Sequence, residues 1–225
     1  AIVGGSGSGK TTLLRLANRL TDADSGTITI ESEDVRNVDP VLLRRRIGYV
    51  FQSGGLFPHM SVAENIGITP RLLGWPTEQI AARVAELLAL VRLDGDGHRD
   101  RMPHELSGGQ RQRVGVARAL AAQPRIVLMD EPFGALDPLT RDALGEDYRA
   151  LHRQLGLTTV MITHDMTEAL LLADRIAVMR GGKLLALGQP AELTESRDAY
   201  VLELLRTPRR QAERIKALLP GAGAA

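Results

Sequence analysis

Residues 4–11, GGSGSGKT, constrain the fold of this chain more than any other stretch. They fit the pattern G-x-x-x-x-G-K-[ST]. They lie between an apolar run at residues 1–3 and a segment, 11–20, in which Leu13, Leu16, Ala17 and Leu20 recur at helical spacing. A strand that feeds a glycine-rich turn and then opens a helix is the arrangement a phosphate site needs. Gly4, Gly5, Gly7 and Gly9, with Ser6 and Ser8 among them, let successive backbone N–H groups turn inward around an anion. The positive end of the following helix adds favourable potential. Lys10 is placed to reach the β and γ phosphates of a nucleotide. The Thr11 hydroxyl is the expected Mg²⁺ ligand, with Thr12 beside it on the helix.

The partner of such a loop is an acidic strand end, and residues 126–131, IVLMDE, supply one. A continuous apolar run reads as a buried parallel strand, which delivers Asp130 and Glu131 to its C-terminal end, where open α/β sheets bind ligands. Asp130 is expected to hold the Mg²⁺ shell, and Glu131 to orient or deprotonate the attacking water. An acidic pair at a strand end is more often a helix cap or a solvated turn; the phosphate loop upstream reverses that reading.

Around these motifs strands alternate with helices, which implies a mainly parallel sheet and the α/β fold of a P-loop NTPase. Alternation at 27–30 and an apolar run at 47–51 predict strands, and residues 40–46 a basic helix. From 53 to 105 the pattern is helical, notably at 77–90, where Ile80, Val84, Leu87, Leu88 and Val91 share a face. Helices at 109–121 and 139–155, a strand at 158–162 and two strands at 175–179 and 183–187 about a Gly181–Gly182 turn follow. The tail is helical.

Composition removes several function classes. With 28 basic against 27 acidic residues the formal charge is +1, too little for the positive field that nucleic-acid binding uses, so no nucleic-acid partner is expected. The chain has no cysteine, which excludes disulfides and thiolate metal sites. No run approaches the roughly 18 apolar residues of a membrane span, because Asp174, Arg175 and Arg180 interrupt the most apolar stretch. No secretion signal is expected at the N-terminus, and His59, His98, His104 and His152 read as surface or packing residues rather than a metal site.

Residues 106–110 read LSGGQ and precede a helix. The Ser107 hydroxyl and the N–H groups of Gly108 and Gly109, with Gln110 after them, can meet a γ-phosphate at that helix start; a serine N-cap is the plainer alternative. With the phosphate loop and the acidic strand, this motif resembles the signature of the ATP-binding-cassette family. The resemblance extends over nearly the whole chain. It implies a Q-loop role for Gln52, sensing Mg²⁺ and water. It implies a D-loop at Ala135, Leu136 and Asp137, and a switch role for His164 at the γ-phosphate. It further implies an ATPase that uses ATP and Mg²⁺, with each ATP held between the phosphate loop of one subunit and LSGGQ of a second, a homodimer being expected.

The flanks resemble importer subunits, since the glutamate-bearing loop that exporters carry before LSGGQ is absent. DEPFGALDPLTRDAL at 130–144 and the segment 163–193 resemble most closely the importers of glycine betaine, choline and related osmoprotectants. Polar amino-acid, sulfonate and taurine-type importers are the near alternatives, and a non-transport cassette ATPase is the rival class. The resemblance implies an ATP-binding core at 1–52 and 107–193, a helical subdomain at 53–106 and a C-terminal tail at 194–225. It implies membrane-spanning permease subunits contacting the helical subdomain, an indirect solute-binding partner, and a place on the cytoplasmic face of the bacterial membrane. A C-terminal regulatory domain of paired repeats is not expected here. The family's upstream strands, with an aromatic residue that stacks on adenine, precede the phosphate loop at which this sequence begins, so either the sequence is a fragment or the protein lacks that contact and an edge of its sheet.

Overall fold

The computed structural model describes residues 1–52 and 54–219. Ser53, where the expected helical subdomain starts, and residues 220–225 of the expected tail lie outside the described residues. The chain divides into two compact units. One is Thr11–Ile162, and the other joins Ala1–Lys10 to Thr163–Ala225. Helix α1 (Lys10–Ala17) begins at the junction.

In the larger unit, β4 (Ile47–Val50), β5 (Ile126–Asp130) and β6 (Thr158–Ile162) pair in parallel, with Val50 opposite Met129 and Asp130 opposite Ile162. Val50, Val127, Leu128, Met129 and Ile162 are buried, as expected for strands covered on both faces. A small antiparallel pair, β2 (Thr29–Ile30) with β3 (Glu33–Asp34), replaces the longer strand expected at 27–30. Glu31 and Ser32 both take positive φ, 51° and 67°, so the chain turns back at once. Asp39 caps α2 (Pro40–Arg46), accepting from the N–H groups of Val41 and Leu42.

Helix α1 ends three residues short of the expected 20. Arg19 adopts φ 54°, the Leu20 N–H closes back to the Arg15 carbonyl at 2.9 Å, and the Arg44 guanidinium takes up the carbonyls of Asn18 and Arg19.

Helices α3 (Val62–Leu72), α4 (Thr77–Leu90), α5 (Gly95–His98) and α6 (Gly108–Leu120) follow, and α3, α4 and α6 pack on one another. A Ser61–Glu64 capping box starts α3. Of the expected apolar face on α4, Val84, Leu87, Leu88 and Val91 are buried. Helix α6 also packs on β4 so closely that a Cβ on Gly48 would lie 2.4 Å from the Ala119 carbonyl oxygen. Helix α7 (Pro138–Leu155) ends at Gly156, which takes the left-handed conformation.

In the smaller unit, β1 (Ile2–Val3) pairs in parallel with β7 (Ile176–Arg180), and β7 turns through Gly181 and Gly182 into antiparallel β8 (Lys183–Gly188). Val3, Ile176 and Val178 form a core with Met166 and Ala169 of α8 (Met166–Leu172), Leu193 of α9 (Pro190–Leu193) and Val201 of α10 (Ala199–Leu218). The expected helical tail is thus α10. No helix among the described residues is long and apolar enough to cross a membrane.

Candidate functional site

The phosphate loop leaves β1 at Gly4, where only glycine fits: φ is 154° and a Cβ would sit 2.1 Å from the Met179 carbonyl oxygen. Gly5, Ser6 and Gly7 are exposed, while Ser8 and Lys10 are buried. Lys10 Nζ donates to the carbonyl oxygens of Gly4 and Gly5, each at 2.9 Å, and approaches Ser8 Oγ at 3.4 Å. These bonds satisfy a buried ammonium, which would otherwise be strongly disfavoured. The Gly182 N–H donates to the Ser8 carbonyl at 3.1 Å, so the hairpin turn braces the loop. Gly9 takes φ 92° and passes the chain into α1.

In the larger unit, Thr11 and the acidic strand end come together. Thr11 Oγ1 donates to Asp130 Oδ1 at 3.2 Å, across 119 positions of sequence, and Asp130 is 5% exposed. Thr12 is exposed on α1. Burial raises the Tyr49 phenol above its ordinary pKa, with the nearby charge of Asp130 adding to it. Glu131 ends β5 in a left-handed conformation, φ 48°, and its N–H donates to the Ile162 carbonyl at 3.0 Å. Such a conformation costs a non-glycine residue on the order of 1 kcal/mol and aims its side chain out of the strand direction. Gln52 Nε2 donates to Glu131 Oε2 at 3.0 Å, joining two of the expected site residues 79 positions apart.

The donor set fits Mg²⁺. Thr11 offers a hydroxyl, Asp130 a carboxylate and Gln52 an amide, the hard oxygen ligands this ion takes in small number alongside phosphate. No cluster of three His, Cys, Asp or Glu residues able to hold a metal occurs among the described residues.

The LSGGQ segment forms the start of α6. Ser107 Oγ accepts from the Gln110 N–H at 3.2 Å and Gln110 Oε1 accepts from the Ser107 N–H at 2.8 Å, a reciprocal cap. The plainer cap geometry is therefore present, and Ser107 and Gly108 remain exposed, with Gly109 half-buried. Gln110 Nε2 also lies 3.0 Å from His98 Nε2, a contact that sequence reasoning did not assign. Gly109 packs against the 135–137 segment, since a Cβ there would be 3.3 Å from Leu136. Asp137 caps α7, and its hydrogen bonds to Thr140, side chain first and backbone second, hold its carboxyl below the usual range.

His164 is exposed in a turn of the smaller unit that is fixed on both sides. The Thr163 N–H donates to the Ile2 carbonyl, and its hydroxyl donates to the Glu168 carboxylate and accepts from the Asp165 N–H.

Two residues at these sites escaped sequence reasoning. Arg118, 8% exposed, donates to the Gly54 and Gly55 carbonyls at 3.0 and 2.8 Å, just after Gln52, and burial pushes its guanidinium down to about 10. A lone arginine amid the apolar run GVARALAA is the signal that could have found it. Tyr200 accepts from the Gly5 N–H at 3.0 Å, and nothing local marks it.

The family model described as "ABC transporter" matches residues 1–134. The glycine betaine/carnitine/choline transport ATP-binding protein OpuCA of Bacillus subtilis is 54% identical over 191 residues, covering 85% of this chain and 50% of that protein. The choline transport ATP-binding protein OpuBA of the same organism is 50% identical over 204 residues, covering 90% and 53%. The chain spans about half the length of the curated relatives it matches. A solved dimeric ATP-binding cassette, MJ0796, bound to ADP and Pi, superimposes with TM-score 0.78 at 32% identity, covering 84% of this chain and 83% of that one.

Proposed function

This chain belongs to the ABC transporter family, and from that premise we propose that it is the ATP-hydrolysing subunit of an importer that takes up glycine betaine, choline or related osmoprotectants. The observation that carries the ATP-hydrolysing part of the reading is the Thr11–Asp130 contact at 3.2 Å beside the Gln52–Glu131 contact at 3.0 Å, and the osmoprotectant part is supported by the named relatives. Together they bring a hydroxyl of α1 to a carboxylate and an oriented acid at the end of β5.

Each residue has a role in phosphoryl transfer to water, which depends mainly on positioning and charge stabilisation. Residues 4–9 form the loop that surrounds the phosphates, and Lys10 exchanges its loop carbonyls for the β and γ phosphate oxygens. Thr11, Asp130 and Gln52 would hold Mg²⁺, which would supply charge neutralisation to the phosphates when bound. Glu131 takes the water's hydrogen bond or proton, with Gln52 fixing its carboxylate. His164 contacts the γ-phosphate. Ser107, Gly108, Gly109 and Gln110 serve the ATP of a second copy of the chain, and Asp137 lies at that shared interface. The dimeric ADP- and Pi-bound relative supports the two-copy arrangement.

The helical segment 53–106 receives the permease, the core is 1–52 with 107–193, and residues 194–225 form the tail. A separate solute-binding protein delivers the solute, and the assembly places the chain at the cytoplasmic face of the membrane. The test is ATPase activity of the chain reconstituted with its adjacently encoded permease and binding protein, challenged with betaine and choline against amino acids, taurine and sulfonates. Stimulation by quaternary amines is expected; stimulation by another solute class alone would overturn the osmoprotectant reading.

A further inference from the structure

The phosphate loop is tied to a helix that begins almost two hundred residues further along the chain. Tyr200 Oη, in the first turn of α10, accepts a hydrogen bond from the Gly5 N–H at 3.0 Å across 195 positions. The carbonyl of the same residue accepts from Lys10 Nζ at 2.9 Å, so Gly5 is held at both of its polar groups. Neighbouring Ser6 and Gly7 are exposed, Gly7 has open space where a Cβ would stand, and the turn is closed by one long backbone bond, from the Ser8 N–H to the Gly5 carbonyl at 3.3 Å.

Tyr200 is well placed to impose order rather than follow it. Its own N–H donates to Asp198, the α10 cap, at 2.8 Å, and the next residue, Val201, is wholly buried in the core of the smaller unit. The Arg180 guanidinium at the end of β7 lies 4.8 Å from the centre of its ring, within cation–π range. Cap, core and cation thus fix the ring, and the ring's hydroxyl reaches the loop.

We propose that Tyr200 is a positioning residue of the phosphate loop, holding the Gly5 peptide in the arrangement that receives a nucleotide phosphate. The inference rests on the nucleotide reading above and deepens it. A loop of glycines has many backbone states, and its apparent affinity falls by the fraction of time it spends outside the competent one. A tether from a rigid helix raises that fraction without touching the phosphate. It also makes loop order depend on the start of α10, so a displacement of that helix lowers nucleotide affinity.

The test is Tyr200→Phe in the full chain, which keeps the ring under Arg180 and removes the hydroxyl. Loss of one neutral hydrogen bond predicts MgATP binding weaker by about three- to tenfold. The KM for ATP should rise, with kcat at saturation and the thermal midpoint unchanged. In nucleotide-free protein labelled with ¹⁵N-glycine, the Gly5 amide should exchange with solvent at least about threefold faster than in the parent chain. A stably folded variant with parental MgATP affinity, or one that lowers kcat alone, would overturn the proposal, as would an unchanged Gly5 exchange rate. If the parent chain binds no MgATP at all, the nucleotide reading falls, and Gly5 exchange still decides the tether.

Discussion

The residues to which the proposed mechanism assigns chemistry are single polar groups in the first turn of α1 or at and just after strand ends, and their partners in space account for those roles. Lys10, buried and bonded to its own loop, is held by carbonyls that a phosphate would outcompete. Lys10→Ala should therefore weaken MgATP binding by roughly ten- to a hundredfold, the loss of a charged hydrogen-bond donor, with little change in melting. Calorimetric titration checks it, and undiminished affinity would remove the lysine from the site. Gln52→Ala should lower kcat about tenfold and raise the KM for MgATP as well, because it loosens Glu131 and removes one of the proposed Mg²⁺ ligands. Steady-state ATPase rates decide this, and an effect on KM alone would contradict the Gln52–Glu131 coupling. Lys10, Thr11, Asp130 and Glu131 were legible because each belongs to a short contiguous pattern with a mechanical reason. Tyr200 and the His98–Gln110 contact were not, since a side chain that acts across a fold leaves no local period or motif.

At the scale of elements, pattern and structure agree where burial is two-sided or the apolar face is long. Strand β6 and helices α2 and α4 occupy the ranges their spacing predicts, whereas the short pieces differ for stated reasons. Helix α1 stops at Ala17 because Arg19 turns left-handed and Arg44 takes the freed carbonyls, an arrangement made by residues 25 and 26 positions apart. The β2–β3 turn at Glu31 and Ser32 carries no glycine to announce it. The contact between β4 and α6 yields a stability prediction: Gly48→Ala places a methyl 2.4 Å from a backbone oxygen, so one element must move. Overpacking of that kind costs about 1–3 kcal/mol. Urea unfolding should show a lower midpoint with the same slope, and an unchanged midpoint would mean that α6 yields without strain.

For the whole molecule, a formal charge of +1 and the absence of any cysteine narrowed the classes of function, and the order of motifs along the chain did the rest. What the sequence implied only through resemblance is the second copy. The LSGGQ start of α6 is capped within its own chain and leaves Ser107 and Gly108 exposed, a surface ready to take an anion from outside. The proposed sharing of ATP between two phosphate loops and two such surfaces would link binding to assembly, so nucleotide that cannot be hydrolysed should hold the pair together. The most direct test is sedimentation velocity of the Glu131→Gln chain with and without saturating MgATP. A shift from monomer to dimer on adding MgATP, reversed by MgADP, is the result expected. A variant that binds MgATP and stays monomeric at every concentration would contradict the shared-site account.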